Sequence, residues 1–353
     1  MNRFFSLLAG VSLLCGSASA ADVEFSGLLD VGFIHNTNNP GKNVPGTTNN
    51  SNKVYRLWDA EDTFQIAVAQ LNTHIEADPV GFDMKLSFFN QASLDNVNDT
   101  DDIAVEEAYL TWNTDVGNGL TVQAGRMASL LGMEVNETLY NNHMTHGLQW
   151  NLVPVTHVGI RATYSVADNL DLVLGLNNGA DKDVDTNHGK TLEGMVTYSI
   201  SEAWTNSVQF NVGAEGATES DKTLTINAWS AYDFSEETSA YIEFTYSGIE
   251  RPTGTKDANL WGIGISAIHW LTDMHGLSVR IEYVDDPQTG NAFLAAPYSS
   301  DITITGHCKV TEDLMMRLEF RHDQGNLNGF NGDKGANSED DQNAVGVQLI
   351  YSF

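Results

Sequence analysis

The chain has 353 residues, of which 17 are Lys or Arg and 47 are Asp or Glu, for a formal net charge of −30. So acidic a molecule repels polyanions, which excludes nucleic acid as a partner. Beyond the first 20 residues no apolar run approaches the ~20 residues of a membrane helix, and no linker or break in composition divides the chain.

In chain order, Arg3, the apolar run from Phe4 to Gly16 and Ala18-Ser19-Ala20 make the three regions of a secretory signal peptide. Residues 1–20 are expected to be cleaved, leaving a single domain over 21–353; loss of Arg3 takes the charge to −31. Cys15 has Leu14 and Ser12 where a lipidation site needs a small and an apolar residue, so it goes with the leader. Cys308 is then the only mature cysteine, and no intrachain disulfide can form.

From Val23 onward polarity alternates with period two in sixteen stretches: 23–35, 62–76, 81–92, 103–113, 119–132, 156–166, 169–177, 188–200, 203–215, 223–234, 237–249, 258–271, 273–286, 298–308, 311–321 and 342–353. In the clearest, Leu277, Val279, Ile281 and Tyr283 alternate with Ser278, Arg280, Glu282 and Val284. A helix would mix these faces. Long polar connections (36–61, 93–102, 133–155, 178–187, 216–222, 250–257, 287–297, 322–341) alternate with tight ones such as Ala167-Asp168-Asn169. An even strand number with short turns at one rim and long loops at the other is the pattern of an all-β transmembrane antiparallel barrel in a bacterial outer membrane. On the outward parity Trp112, Tyr164, Tyr198, Trp204, Phe234 and Phe353 fall beside short turns or the chain end, where an aromatic girdle belongs. A soluble sandwich or propeller is the competing fold. It would have to enclose the polar face, and the propeller period is missing.

The last ten residues, AVGVQLIYSF, place Val345, Val347, Leu349, Tyr351 and Phe353 on one face, with Ile350 on the inward parity. This resembles the carboxyl-terminal assembly signal of outer-membrane proteins. GLLDVGFIHN, VEEAYLTW, LTVQAGRMASLLGMEV with Gly125-Arg126 and Gly132-Met133-Glu134, and VPVTHVGIRATY together resemble the OmpL-like β-barrel porin family over roughly residues 25 to 180. The resemblance implies an outer-membrane barrel of a Gram-negative bacterium with porin activity, without naming a solute. Its expected partners are outer-membrane lipid and lipopolysaccharide, the barrel assembly machinery, small hydrophilic solutes and a homo-oligomeric copy.

Inward parity lines the lumen with Asp30, Asp83, Lys85, Glu107, Tyr109, Arg161, Asp171, Glu193, Gln209, Asn211, Glu243, Arg280, Glu282, Arg317, Glu319 and Arg321. A dry interior does not tolerate so many unpaired charges, so water is expected to fill the barrel. The third long connection, 133–155, brings Glu134, Glu137, Tyr140, His143, His146 and Trp150, and is expected to fold inward and narrow the pore. Arg280, Arg317 and Arg321 would form a basic wall facing Glu107, Glu134 and Glu137. These, with Arg161, are the candidate pore-lining and constriction residues. Eight lumenal carboxylates against five bases suggest a mild preference for cations.

Enzymatic, metal and cofactor chemistry find little support. His143 and His146 are spaced by three rather than four, and no Cys lies nearby. Asp181, Asp183, Asp185 and Asn187 begin like a calcium loop, yet Thr186 and Leu192 stand where Gly and Glu are required, leaving loose divalent binding beside lipopolysaccharide. A hydrolase would need His157, His307 or His322 to find a Ser or Asp partner, and an adhesin would use the same barrel with a blocked lumen.

Overall fold

The computed structural model describes residues 22–38, 58, 62–88, 103–216, 218–250, 257–287, 298–327, 329–332 and 335–353; the leader at 1–20 lies outside them. Among the described residues eighteen strands follow in order: β1 (Asp22–Asn36), β2 (Thr63–Glu76), β3 (Val80–Phe88), β4 (Ile103–Thr114), β5 (Leu120–Ala128), β6 (Thr156–Ala167), β7 (Leu170–Asn177), β8 (Thr191–Ser201) and β9 (Trp204–Ala214). The second half holds β10 (Lys222–Ser235), β11 (Thr238–Ile249), β12 (Ala258–Trp270), β13 (His275–Asp285), β14 (Tyr298–Lys309), β15 (Leu314–Gly325), β16 (Phe330–Gly332), β17 (Gly335–Glu339) and β18 (Asp341–Ser352). Sixteen of them close an antiparallel barrel, with β1 against β18 from Leu28 opposite Ser352 to Asn36 opposite Ala344. The remaining two, β16 and β17, form a separate hairpin in the last long connection. Too short to show a period, it was not foreseen in the sequence.

The faces are inverted relative to a soluble protein, and this decides between membrane barrel and sandwich. On β13, Leu277 and Ile281 are 45% and 49% exposed on the outer surface, while Arg280 between them is 1% exposed on the inner one. Trp112, Tyr198, Trp204, Phe234 and Phe353 are exposed outward as expected of a girdle, and Tyr164 is half-buried, its hydroxyl accepting from the Asn118 amide at 3.4 Å. Most strand ends agree with the sequence pattern. The fifth does not: it stops at Ala128, and after one more in-register bond, from the Ser129 amide to the Val155 carbonyl at 2.8 Å, the chain leaves the wall for the interior. The fifteenth strand runs on to Gly325, and the last positions of the stretch at 81–92 lie outside the described residues. A bulge between β3 and β4 slips the register beside Lys85, so Glu106 and Glu107 are both buried.

The segment 129–155 folds inside the barrel, with short 3-10 turns at Thr138–Tyr140 and Gln149–Leu152. Its apolar residues Met144, Leu148 and Leu152 join Leu28, Trp58, Leu260, Val284, Ala344 and Ile350 in one buried cluster. Ile350, out of place on a polar inner face, is thereby explained. Small residues make the seat: a Cβ on Gly346 would stand 2.6 Å from the Met144 sulfur, and one on Gly264 would stand 2.8 Å from Gln149 Nε2. Beside them Glu319 of β15 accepts from the Met144 amide (2.6 Å), the Thr145 amide (3.1 Å) and hydroxyl (2.6 Å), and the Thr305 hydroxyl (2.7 Å).

Two expectations follow. Glu319→Ala removes an acceptor from four buried donors and should loosen the inner loop by about 3 kcal/mol; hydrogen exchange at the amides of 143–147 reads this as lost protection, while protection in the barrel strands persists. Phe353 exchanges two main-chain bonds with Gly27, both 3.1 Å, so its deletion opens the end of the closing ladder as well as the terminal aromatic signal. Its surface level should fall, and the surviving fraction should lose the heat-modifiable gel migration of an intact barrel.

Candidate functional site

The lumen is crossed by the inner loop, and its charges are arranged around that crossing. Arg280 donates to Glu134 Oε1 and to the Thr145 carbonyl, each at 2.8 Å, and to Asp301 Oδ2 at 3.1 Å. Arg317 donates to the carbonyls of Thr138 (2.7 Å), Asn141 (2.8 Å) and Leu139 (3.2 Å). Arg321 holds the His146 carbonyl at 2.6 Å and Asp323 at 2.7 Å. The basic wall on β13 and β15 exists, but it does not face water: all three side chains are at most 3% exposed. The reason is chemical. Each guanidinium offers five N–H donors in a rigid fork, and the loop offers main-chain carbonyls that no strand satisfies.

Glu134 and Glu137 do not share a wall, contrary to the sequence expectation. Glu134 lies against Arg280 and accepts the Gly147 amide at 2.7 Å. Three residues later the loop has reached the far side, where Lys85 Nζ is 2.6 Å from both Glu137 and Glu107. Burial would raise the Glu137 carboxyl, but the charge and hydrogen bond of Lys85 outweigh it and hold the group below its ordinary value. Arg161 of β6 is bonded twice by Glu193, at 2.9 and 3.2 Å, and donates to the Ala128 carbonyl at 2.9 Å. Of the five lumenal cations expected from parity, only Lys85 keeps a substantial exposed side chain, 31%; Asp83 beside it keeps 27%. Sequence reading missed Asp301, Asp323, Thr138 and Trp58, whose indole donates to the Met144 carbonyl at 3.1 Å. The inward parity of β14 and β15 would have shown the first two; nothing local marks the others.

The remaining candidates resolve into structural bonds. His143 sits between Thr305 (2.8 Å) and Ser266 (3.3 Å), and burial and then Arg280 push its imidazole well below the ordinary value, so it is neutral. His146 bonds the Val135 carbonyl at 2.8 Å and its ring lies 4.3 Å from Trp150. Among the described residues no three His, Cys, Asp or Glu gather in a metal-holding arrangement. Asp181 Oδ1 accepts the amides of Val155 (2.7 Å) and Thr156 (2.9 Å), Asp183 pairs with Arg126, and Asp185 is 2.5 Å from Lys190, whose hydrogen bond lowers that carboxyl to about 2. His307 does meet a serine, Ser278, at 2.9 Å, but that hydroxyl also bonds the Asn142 carbonyl at 2.6 Å and is fully buried. His157 faces Glu193 at 3.6 Å, and His322 bonds Asn343 at 2.9 Å.

Solved structures of similar shape are outer-membrane proteins. The outer membrane channel DcaP of Acinetobacter baumannii superposes with a TM-score of 0.65 at 13% identity, over 96% of this chain and 99% of that one. An anion-selective porin from Comamonas acidovorans gives 0.68 at 12%, over 95% and 100%, and OmpT of Vibrio cholerae gives 0.65 at 12%, over 96% and 99%. At such identities the likeness is one of fold alone. No curated protein matches by sequence. The family model described as "Putative beta-barrel porin-2, OmpL-like" matches residues 22–353, the span that closes the barrel, and the chain belongs to that family of outer-membrane porins.

Proposed function

We propose that the protein is a porin of a Gram-negative outer membrane that passes small hydrophilic solutes and ions by diffusion, with a mild preference for cations and no enzymatic activity. Residues 1–20 would direct export and be cleaved, the terminal strand would engage the assembly machinery, and the outward faces would meet lipid, lipopolysaccharide and neighbouring copies. The preference rests on one observation. The arginines of the inner wall are consumed by loop carbonyls and carboxylates, so the field felt by a passing ion is set chiefly by Asp83, Glu107 and Lys85, the one of the five expected lumenal cations whose side chain stays substantially exposed. The constriction residues in this reading are Glu107, Glu134, Glu137, Arg161, Arg280, Arg317 and Arg321, the arginines acting through the position of the loop.

Purified protein in a planar bilayer should show steady open steps in KCl, and a salt gradient should give a reversal potential of cation-preferring sign, larger at low salt because screening is weaker there. Lys85→Gln should increase that preference, and Glu107→Gln should reduce it. Anion preference in the unaltered protein would overturn the selectivity. A barrel that never conducts would favour a structural or adhesive role.

A further inference from the structure

Below the loop, on the short-turn side, the first four strands present two adjacent rungs of polar side chains to the lumen. Glu24 stands opposite His74, His74 opposite Asp83 and Asp83 opposite Tyr109; on the next rung Ser26 stands opposite Asn72, Asn72 opposite Lys85 and Lys85 opposite Glu107. Together these side chains line a recess of about 180 Å³.

The charge of this recess is unbalanced toward carboxylates, with Glu24, Asp83 and Glu107 around one lysine and one imidazole. Lys85, its strongest donor, spends two of its three N–H groups on Glu107 and Glu137 at 2.6 Å each. His74 is engaged by Asp83 Oδ1 at 2.7 Å, and the Asn72 amide donates to Ser26 at 3.3 Å. Also facing the recess are one further oxygen each of Asp83 and Glu107, the Glu24 carboxylate, and Asn72 Oδ1, which is buried without a partner. The Tyr109 ring lies beside Asp83 and supplies an aromatic face. With Lys85 shared between Glu107 and Glu137, the carboxylates of Glu24 and Asp83 outweigh the one imidazole of His74, so the recess rejects anions and offers carboxylate oxygens to a cation rich in N–H.

We propose that this recess is a binding step for compact organic cations carrying ammonium or guanidinium groups, seated between Glu24, Asp83 and Tyr109. The idea rests on the porin reading for its role in passage, but the binding itself is separable from conduction. The probe is argininamide, a small dication, titrated calorimetrically into the intact detergent-folded barrel, with glucose as the neutral counterpart of similar size. Argininamide should bind saturably at one site in the millimolar range and glucose should not; in the bilayer it should interrupt the KCl current over the same concentrations. Asp83→Asn combined with Glu24→Gln keeps side-chain volume and should weaken binding about a hundredfold, the loss of two charge-assisted contacts at about tenfold each. No saturable heat, equal binding of glucose, or unchanged affinity in the double variant would overturn the proposal. Absence of KCl current with argininamide binding intact would sink the porin reading instead and leave the site standing.

Discussion

In hydrocarbon a main-chain N–H or C=O has no water to fall back on, and each one left unpaired costs several kcal/mol. The closed ladder from β1 round to β18 is the answer to that constraint, and the remaining features of the molecule are arranged inside it. Closure fixes the parity of every strand, parity sends apolar side chains to lipid, and what is left over must face inward. The polar interior is therefore a by-product of the outer surface.

The same accounting reappears one level in. A loop drawn into the lumen carries its own unsatisfied main chain, and the wall supplies partners of both signs: three arginines for carbonyls, and Glu319, Glu282 and Glu243 for amides. Charges that looked like the lining of a water channel turn out in large part to be the fastening of a loop. Burial of these groups is tolerated because Arg280 and Arg321 meet carboxylates and carbonyls together, while Arg317 is held by the loop's carbonyls.

Most of the architecture was legible in the sequence because period two repeated over sixteen strands is hard to imitate, and because turn lengths alternate. The lumenal set was legible for the same reason, since parity says which side a residue faces. Parity does not say what stands in front of it. Whether Arg317 meets water or the Thr138 carbonyl depends on a contact 179 positions away in sequence, which no local pattern encodes. Likewise Glu134 and Glu137 were placed together because they are close in sequence, while the loop crosses the lumen between them. The bulge beside Lys85 and the hairpin of β16 and β17 were hidden because each breaks or falls short of the period.

That crossing has a mechanical side. Glu134 is tied to β13 through Arg280 and Glu137 to β3 through Lys85, and these strands lie six places apart around a ring of sixteen. A cylinder of strands alone ovalises easily under lateral pressure from its bilayer. A tie-rod between distant staves resists that flattening, so the cross-section at the loop follows the span between two anchored walls.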